Sequence, residues 1–241
     1  MSTTADVPPR EAILKTLTNR VQVKNQAYEA TLETFTLLKE LLHELCNDTN
    51  ETLEDRQEHP PRLDYRDRGK FEAEIKVAGD ILIFSMHSNI FQFDRDHLIW
   101  KTSYVQKEKN ASYCGIISIY NFLSDSFKYN RIDDLGYLIG RIFINKDRRF
   151  FVEGKRQMAF RYSTFGEKSI TPDDITAILE TAILYSIEFD LLTPPYDHVK
   201  EATVGQMNAK IENAKLQTGK RLGFKFNSDD VLASTHSGYY N

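Results

Sequence analysis

The chain has 241 residues, 41% hydrophobic and 12% aromatic, and its 31 basic against 35 acidic side chains give a net charge of −4. That length buries a sizeable core, and the composition is that of a folded globular chain rather than a disordered one. The acidic balance excludes nucleic-acid binding over the whole surface, so any such contact is local. The opening residues hold no continuous apolar segment of the secretory kind, and no stretch is apolar enough over enough residues to span a membrane. Two cysteines, Cys46 and Cys114, are too few for a disulfide framework and suit a reducing cytoplasm.

Residues 1–9 read as a flexible leader, with Pro8-Pro9 marking where order begins. A long helix is predicted from 10 to about 47, a stretch free of Gly and Pro. Heptad slots hold Leu14, Leu17, Val21, Tyr28, Phe35, Leu38, Leu42 and Leu45, with Lys24 and Thr31 in the other two. Ile13, Leu32, Leu37 and Leu41 widen the stripe beyond a strict coiled-coil seam, which favours a helix lying on a sheet or a second helix. At roughly 57 Å it exceeds what one compact domain covers, so it either kinks or reaches a second copy as a homodimer. Residues 47–70, broken by Pro60-Pro61, read as a charged connector, which with the helix makes a segment spanning 10–70.

From 71 to 162 the period changes to that of strands. Apolar and β-branched runs at 73–78, 81–87, 90–93, 97–105, 113–123, 137–144 and 149–153 are separated by short turn-forming stretches. Connections this short imply an antiparallel meander of about six or seven strands, with a helical turn expected only within 124–134. Thr171-Pro172-Asp173-Asp174 is a helix start: a capping Thr, Pro at the first helical position and acids in the first turn. Ile175, Ile178, Leu179, Ala182, Ile183 and Phe189 follow, and Pro194-Pro195 ends that helix. A second, more polar helix is predicted over about 197–217, with Val204, Met207 and Ile211 on one stripe, before a loose tail at 227–241. The fold class is therefore α+β: an antiparallel sheet packed by a long N-terminal helix and two C-terminal helices, with the core domain at 71–226.

Signatures for dinucleotide or phosphate loops, zinc helices, Cys-x-x-Cys pairs and nucleophile elbows are missing from the sequence. Asp94-Arg95-Asp96-His97, with His87 nearby, is the densest set of ligand-type side chains; it reads as a charged turn rather than a metal site. Cys114 reads as a small core residue and His198 as a helix-start or surface histidine rather than a base. No catalytic residue, metal or cofactor is assigned.

The sharpest feature is a hairpin from Tyr137 to Tyr162. Between Arg141 and Arg161 seven Lys or Arg face two acids, Asp147 and Glu153, a local net charge of 7 − 2 = +5. A three-residue loop at Lys146-Asp147-Arg148 pairs Ile144 with Phe150 and Ile142 with Val152 on one face. On the other it pairs Phe143 with Phe151 and Arg141 with Glu153, whereas a two-residue loop sets Ile144 opposite Arg149. If the Ile/Val face is buried, Phe143 and Phe151 are exposed rings beside cations; the competing expectation is a second layer over them. The candidate ligand-binding set is Phe143, Lys146, Arg148, Arg149, Phe151, Lys155 and Arg156. The favoured function is a non-enzymatic cytoplasmic binding or interaction module that meets an anionic ligand or acidic protein surface through this hairpin. The alternatives are an enzyme using His87, Asp94 or His198 in a sheet–helix cleft, and a local nucleic-acid contact.

Overall fold

The computed structural model describes residues 8–132, 134–154, 165–189, 196–201, 203–205 and 208. The long helix runs as α1 (Pro9–Thr16), a π-helical turn at Leu17–Val21 and α2 (Gln22–Glu54). Its buried residues are Ala27, Ala30, Thr31, Thr34, Phe35, Leu38, Leu42 and Cys46, one stripe at three- and four-residue spacing. Among the described residues nothing before Ala27 is buried; α1 extends past the sheet, while the π turn still touches it through Arg20 Nε, which donates to the Tyr113 hydroxyl (2.6 Å). The first buried positions are small, which lets the helix approach the sheet closely: a Cβ on Gly115 would lie 2.2 Å from Thr31 Oγ1.

Seven antiparallel strands follow: β1 (Leu63–Asp67), β2 (Glu72–Val77), β3 (Asp80–Met86), β4 (Phe91–Gln92), β5 (Tyr113–Leu123), β6 (Tyr137–Asn145) and β7 (Phe150–Gly154). The order is β1-β2-β3-β5-β6-β7, with β4 pairing the start of β5. One face, bearing Ile75, Leu82, Phe84, Ile117, Ile119, Ile142 and Ile144, packs under Phe35, Leu38 and Leu42 of α2. Full burial of each such side chain stabilises by about 1.5–3 kcal/mol. Helix α5 (Pro172–Glu188) adds Ile175, Ile178, Leu179, Ala182 and Ile183 to the same core. Its predicted start is a capping box: Thr171 Oγ1 accepts from the Asp174 N–H (3.2 Å) and Asp174 Oδ2 accepts from the Thr171 N–H (3.0 Å).

Two sequence expectations need correction. Residues 47–70 are not one connector: the helix continues to Glu54, and Leu63–Asp67 forms edge strand β1. Asn50 anchors it, donating from Nδ2 to Leu63 O (2.9 Å) and accepting at Oδ1 from the Leu63 N–H (2.8 Å). The run at 97–105 is not a strand but 3-10 turn Leu98–Lys101 and helix α3 (Ser103–Lys107), with a further 3-10 turn at Lys109–Ser112. Side chains of His97, Thr102 and Glu108 accept the N–H groups of Ile99, Val105 and Asn110, and these local bonds displace the ladder. The helical turn expected within 124–134 is α4 (Ser124–Lys128). Of the second C-terminal helix, Tyr196–Val199 (α6) is described; most of that expectation lies outside the described residues. Among the described residues no helix is long and apolar enough to cross a membrane.

Candidate functional site

The β6–β7 hairpin has the register derived from its side chains, with Arg141, Ile142, Phe143 and Ile144 opposite Glu153, Val152, Phe151 and Phe150. Its three-residue loop closes with Arg148 at φ 56°, the left-handed residue that such loops use to match strand twist. Asn145, fully buried, organises the tip. Its Oδ1 accepts from the Asp147 and Arg149 N–H groups (3.0 Å each), and its Nδ2 donates to Tyr104 Oη (3.0 Å) and Ala111 O (3.3 Å). The Tyr104 hydroxyl in turn donates to Asp147 Oδ2 (2.5 Å). Burial, reinforced by this bond to a carboxylate, pushes the Tyr104 phenol well above its ordinary value. Burial works to raise Asp147, yet the bonds from Tyr104 and Lys146 outweigh it and hold that carboxyl below its ordinary value.

The basic tip is largely neutralised by these neighbours. Lys146 pairs with Asp147 (3.0 Å), Arg141 Nε donates to Glu153 (2.8 Å), and Arg148 lies 3.8 Å from Glu33 on α2. Arg149 sits 5.9 Å from the Tyr104 ring centre and has no ion pair within 4 Å among the described residues. The expectation that Phe143 and Phe151 form an exposed aromatic platform is corrected. Phe143 is 6% exposed, and both rings belong to a second apolar cluster with Phe93, Ile99, Trp100, Tyr104, Val105 and Phe165. The 93–112 segment, whose turns bring Ile99 and Val105 inward, is the layer that covers them. Lys155, Arg156 and Arg161 lie outside the described residues.

A concave basic surface lies elsewhere, on the sheet face opposite α2. Because Ile75, Leu82 and Phe84 point into the core, alternation turns Arg66, Glu74, Lys76 and Ile81 outward. With Asp64, Tyr65, Arg68 and the α4 residues Ser124, Phe127 and Lys128 they line a cleft of about 440 Å³. Four of its lining residues are cations and two are acids. Glu74 is nearly buried, held by Arg66 Nη1 (3.3 Å) and Arg68 Nη1 (3.0 Å), and Arg68 also lies 5.7 Å from the Phe127 ring centre. Lys76 has no ion-pair partner among the described residues. This cleft was invisible in the sequence because β1 was read as connector; the alternation Leu63, Asp64, Tyr65, Arg66 was the available signal.

Of the residues considered for catalysis, His87 lends its side chain to a local turn and Asp94 its backbone carbonyl. His87 Nδ1 accepts from the Asn89 N–H (3.0 Å) and its ring packs edge-on against Phe91 (4.7 Å). His97 stacks on Phe93 (4.5 Å), Asp94 O accepts from Trp100 Nε1 (2.8 Å), and Arg95 lies 4.3 Å from the Trp100 ring centre. The His198 side chain lies outside the described residues. Among the described residues no group of three or more His, Cys, Asp or Glu is placed to hold a metal ion. Cys46 and Cys114 are buried free thiols; burial, with a smaller contribution from Asp64, pushes Cys46 up to about 12, and burial likewise raises Cys114. No protein-family model, curated protein or solved structure matches this chain.

Proposed function

We propose that this protein is a non-enzymatic binding module for an anionic ligand or an acidic protein surface. The observation carrying the reading is the outer-face cleft, a concavity lined by four cations and two acids in a chain that is net acidic. Concave, partly apolar walls favour a bound ligand over a passing counter-ion, and Phe127 and Ile81 supply them here. The test is a Lys76→Glu, Lys128→Glu double variant, which leaves the Arg66 and Arg68 clasp on Glu74 intact. Fluorescence anisotropy with a labelled oligo-glutamate and calorimetry with inorganic pyrophosphate should show wild-type binding that weakens at least about tenfold in the variant, a 1.4 kcal/mol loss. Unchanged affinity in the variant, or no wild-type binding to either probe, refutes the cleft.

The hairpin is the second reading, favoured by the arrangement at its tip. Among the described residues Arg149 has no carboxylate within ion-pair distance, though its charge still acts on Asp147, and the Arg148–Glu33 pair at 3.8 Å is the loose, solvated kind that a competing anion displaces easily. In this reading Lys146, Lys155 and Arg156 add charge, and Phe143 and Phe151 act by stiffening the strands rather than by touching ligand. Reversing Arg148 and Arg149 to Glu should abolish partner capture without lowering the melting temperature; intact capture removes the hairpin from the account.

Self-association belongs to the same proposal. Leu14, Leu17 and Val21 on the projecting arm hold heptad spacing, Ile13 widens their stripe, all four are exposed, and a second copy of this stripe covers them. Sedimentation of a Leu14→Asp, Leu17→Asp variant as a monomer beside a dimeric wild type supports it, and a monomeric wild type ends it. A cytoplasmic location is part of the reading and rests on the two free, buried thiols.

A further inference from the structure

Beside the outer-face cleft, the loop after α4 borders a separate, half-open cavity of about 200 Å³ lined by Phe122, Ser126, Phe127, Asn130, Arg131, Ile132 and Asp134. Gly136 allows it to form, since a Cβ there would sit 2.2 Å from the Phe122 ring, so the loop backbone lies directly against that ring. The Arg131 side chain is 7% exposed, and all three of its guanidinium nitrogens lack a hydrogen bond. Its Nε is 3.1 Å from Asp134 Oδ2, close enough for an ion pair, but the N–H is not aligned with it. Asp134 Oδ2 accepts instead from the Ser126 hydroxyl (2.6 Å). A sealed cation with unfilled donors is a costly arrangement in a folded protein, one normally relieved by an acceptor.

We propose that this cavity binds a small monocarboxylate with a single-ring or similarly compact apolar body, its carboxylate taken by the end-on Nη1/Nη2 fork of Arg131. The fork matches two carboxylate oxygens, and the Phe122, Phe127 and Ile132 side chains supply the apolar walls. A void of roughly 150 Å³ holds a benzene ring, so this cavity accommodates one ring with its carboxylate. Asp134 on the Nε side already offsets the single charge of Arg131, so each further negative charge in the pocket is uncompensated, which disfavours a phosphate dianion more than a monoanion. The guanidinium nitrogens are shielded from bulk water, so binding includes a turn of the Arg131 side chain toward the cavity that it lines. Within the protein, Asp125 also has a buried carboxylate oxygen, Oδ2, without a hydrogen-bond partner. It follows α4's first residue, and a rotation of Asp125 onto Arg131 is the competing outcome of the test.

The probe is sodium benzoate, followed by chemical-shift titration and thermal shift on the full chain, with benzyl alcohol and inorganic phosphate as comparisons. The expected result is saturable benzoate binding with shifts confined to 122–136 and at least a tenfold loss in Arg131→Met. Benzyl alcohol and phosphate should bind at least tenfold more weakly than benzoate. Arg131→Met removes a buried charge and keeps the bulk of the side chain, so it should fold; Phe127→Ala supplies a second variant in which benzoate also weakens. Benzoate binding unchanged in Arg131→Met, or no saturable shift, overturns the assignment, and no shift together with a stability loss in Asp125→Asn hands the guanidinium to Asp125. The Lys76→Glu, Lys128→Glu variant keeps its benzoate binding if the cavity is the site, and loses it if benzoate enters the outer-face cleft, so the two proposals fail separately.

Discussion

Replacing Asn145 by Ala tests whether one buried amide sets the hairpin tip. The substitution removes four hydrogen bonds: two accepted from the Asp147 and Arg149 N–H groups, and two donated to Tyr104 Oη and Ala111 O. Each such bond contributes about 0.5–1.5 kcal/mol net, and a buried partner left unsatisfied costs about 1–3 kcal/mol. The two N–H groups are half-buried and regain water in part, so the sum falls near 2–4 kcal/mol, with a melting temperature lowered by roughly 5–15 °C. Urea unfolding followed by circular dichroism measures it, with Tyr104→Phe and the double variant completing a cycle. Because Tyr104 bonds both Asn145 and Asp147, the two losses should be non-additive by about 0.5 kcal/mol or more. A loss under about 1 kcal/mol in Asn145→Ala, or strict additivity, would refute the view of the tip as one connected network.

Three further outcomes follow from the geometry. Gly115→Ala forces a methyl into Thr31 on α2 and should destabilise by about 1–3 kcal/mol in the same urea assay; a neutral substitution means the helix does not approach β5 this closely. Thr171→Ala should cost about 1 kcal/mol through loss of the capping box, and an unchanged unfolding midpoint counts against it. Burial works to raise Asp174, but bonds from Lys168 and Thr171 outweigh it and hold the carboxyl below its ordinary 3.8. Asp147 and Asp174 therefore contribute stability that is complete above the unfolded value and lost as pH falls through the lower folded values. A Lys168→Met variant should lose less on acidification than the wild type, measured by urea midpoint against pH, and identical acid profiles contradict the assignment.

The parts of the fold that rest on pairing rules were legible in the residues. The hairpin register followed because a two-residue loop would set Ile144 against Arg149, and the start at Thr171 followed from local capping chemistry. Strand β1 escaped because Asp64, Arg66 and Asp67 make its five residues look like connector; its pairing with β2 and its anchor on Asn50 are decided far away in sequence. The run at 97–105 departs in the opposite direction, since its apolar content resembles a strand while two side-chain caps, from His97 and Thr102, commit it to turns. Those turns then cover Phe143, so one local misreading became a wrong expectation about the aromatic platform. The Arg131 cavity carries no sequence signal, because its burial is created by a loop closing over Phe122.

The grip of Asn50 on Leu63 bears on how this sheet avoids recruiting other chains. An edge strand offers unpaired amides and carbonyls as a template for a neighbour, and β1 is such an edge. Its first residue has both backbone groups occupied by a helix side chain, its last carries an Asp67–Lys39 ion pair, and Asp64 and Arg66 between them are exposed charges. An incoming strand would have to begin without its first ladder pair and lie along a charged rim. The helix that builds the core thereby also keeps the sheet finite, and loosening Asn50 exposes the protein to edge-to-edge aggregation before it threatens the core.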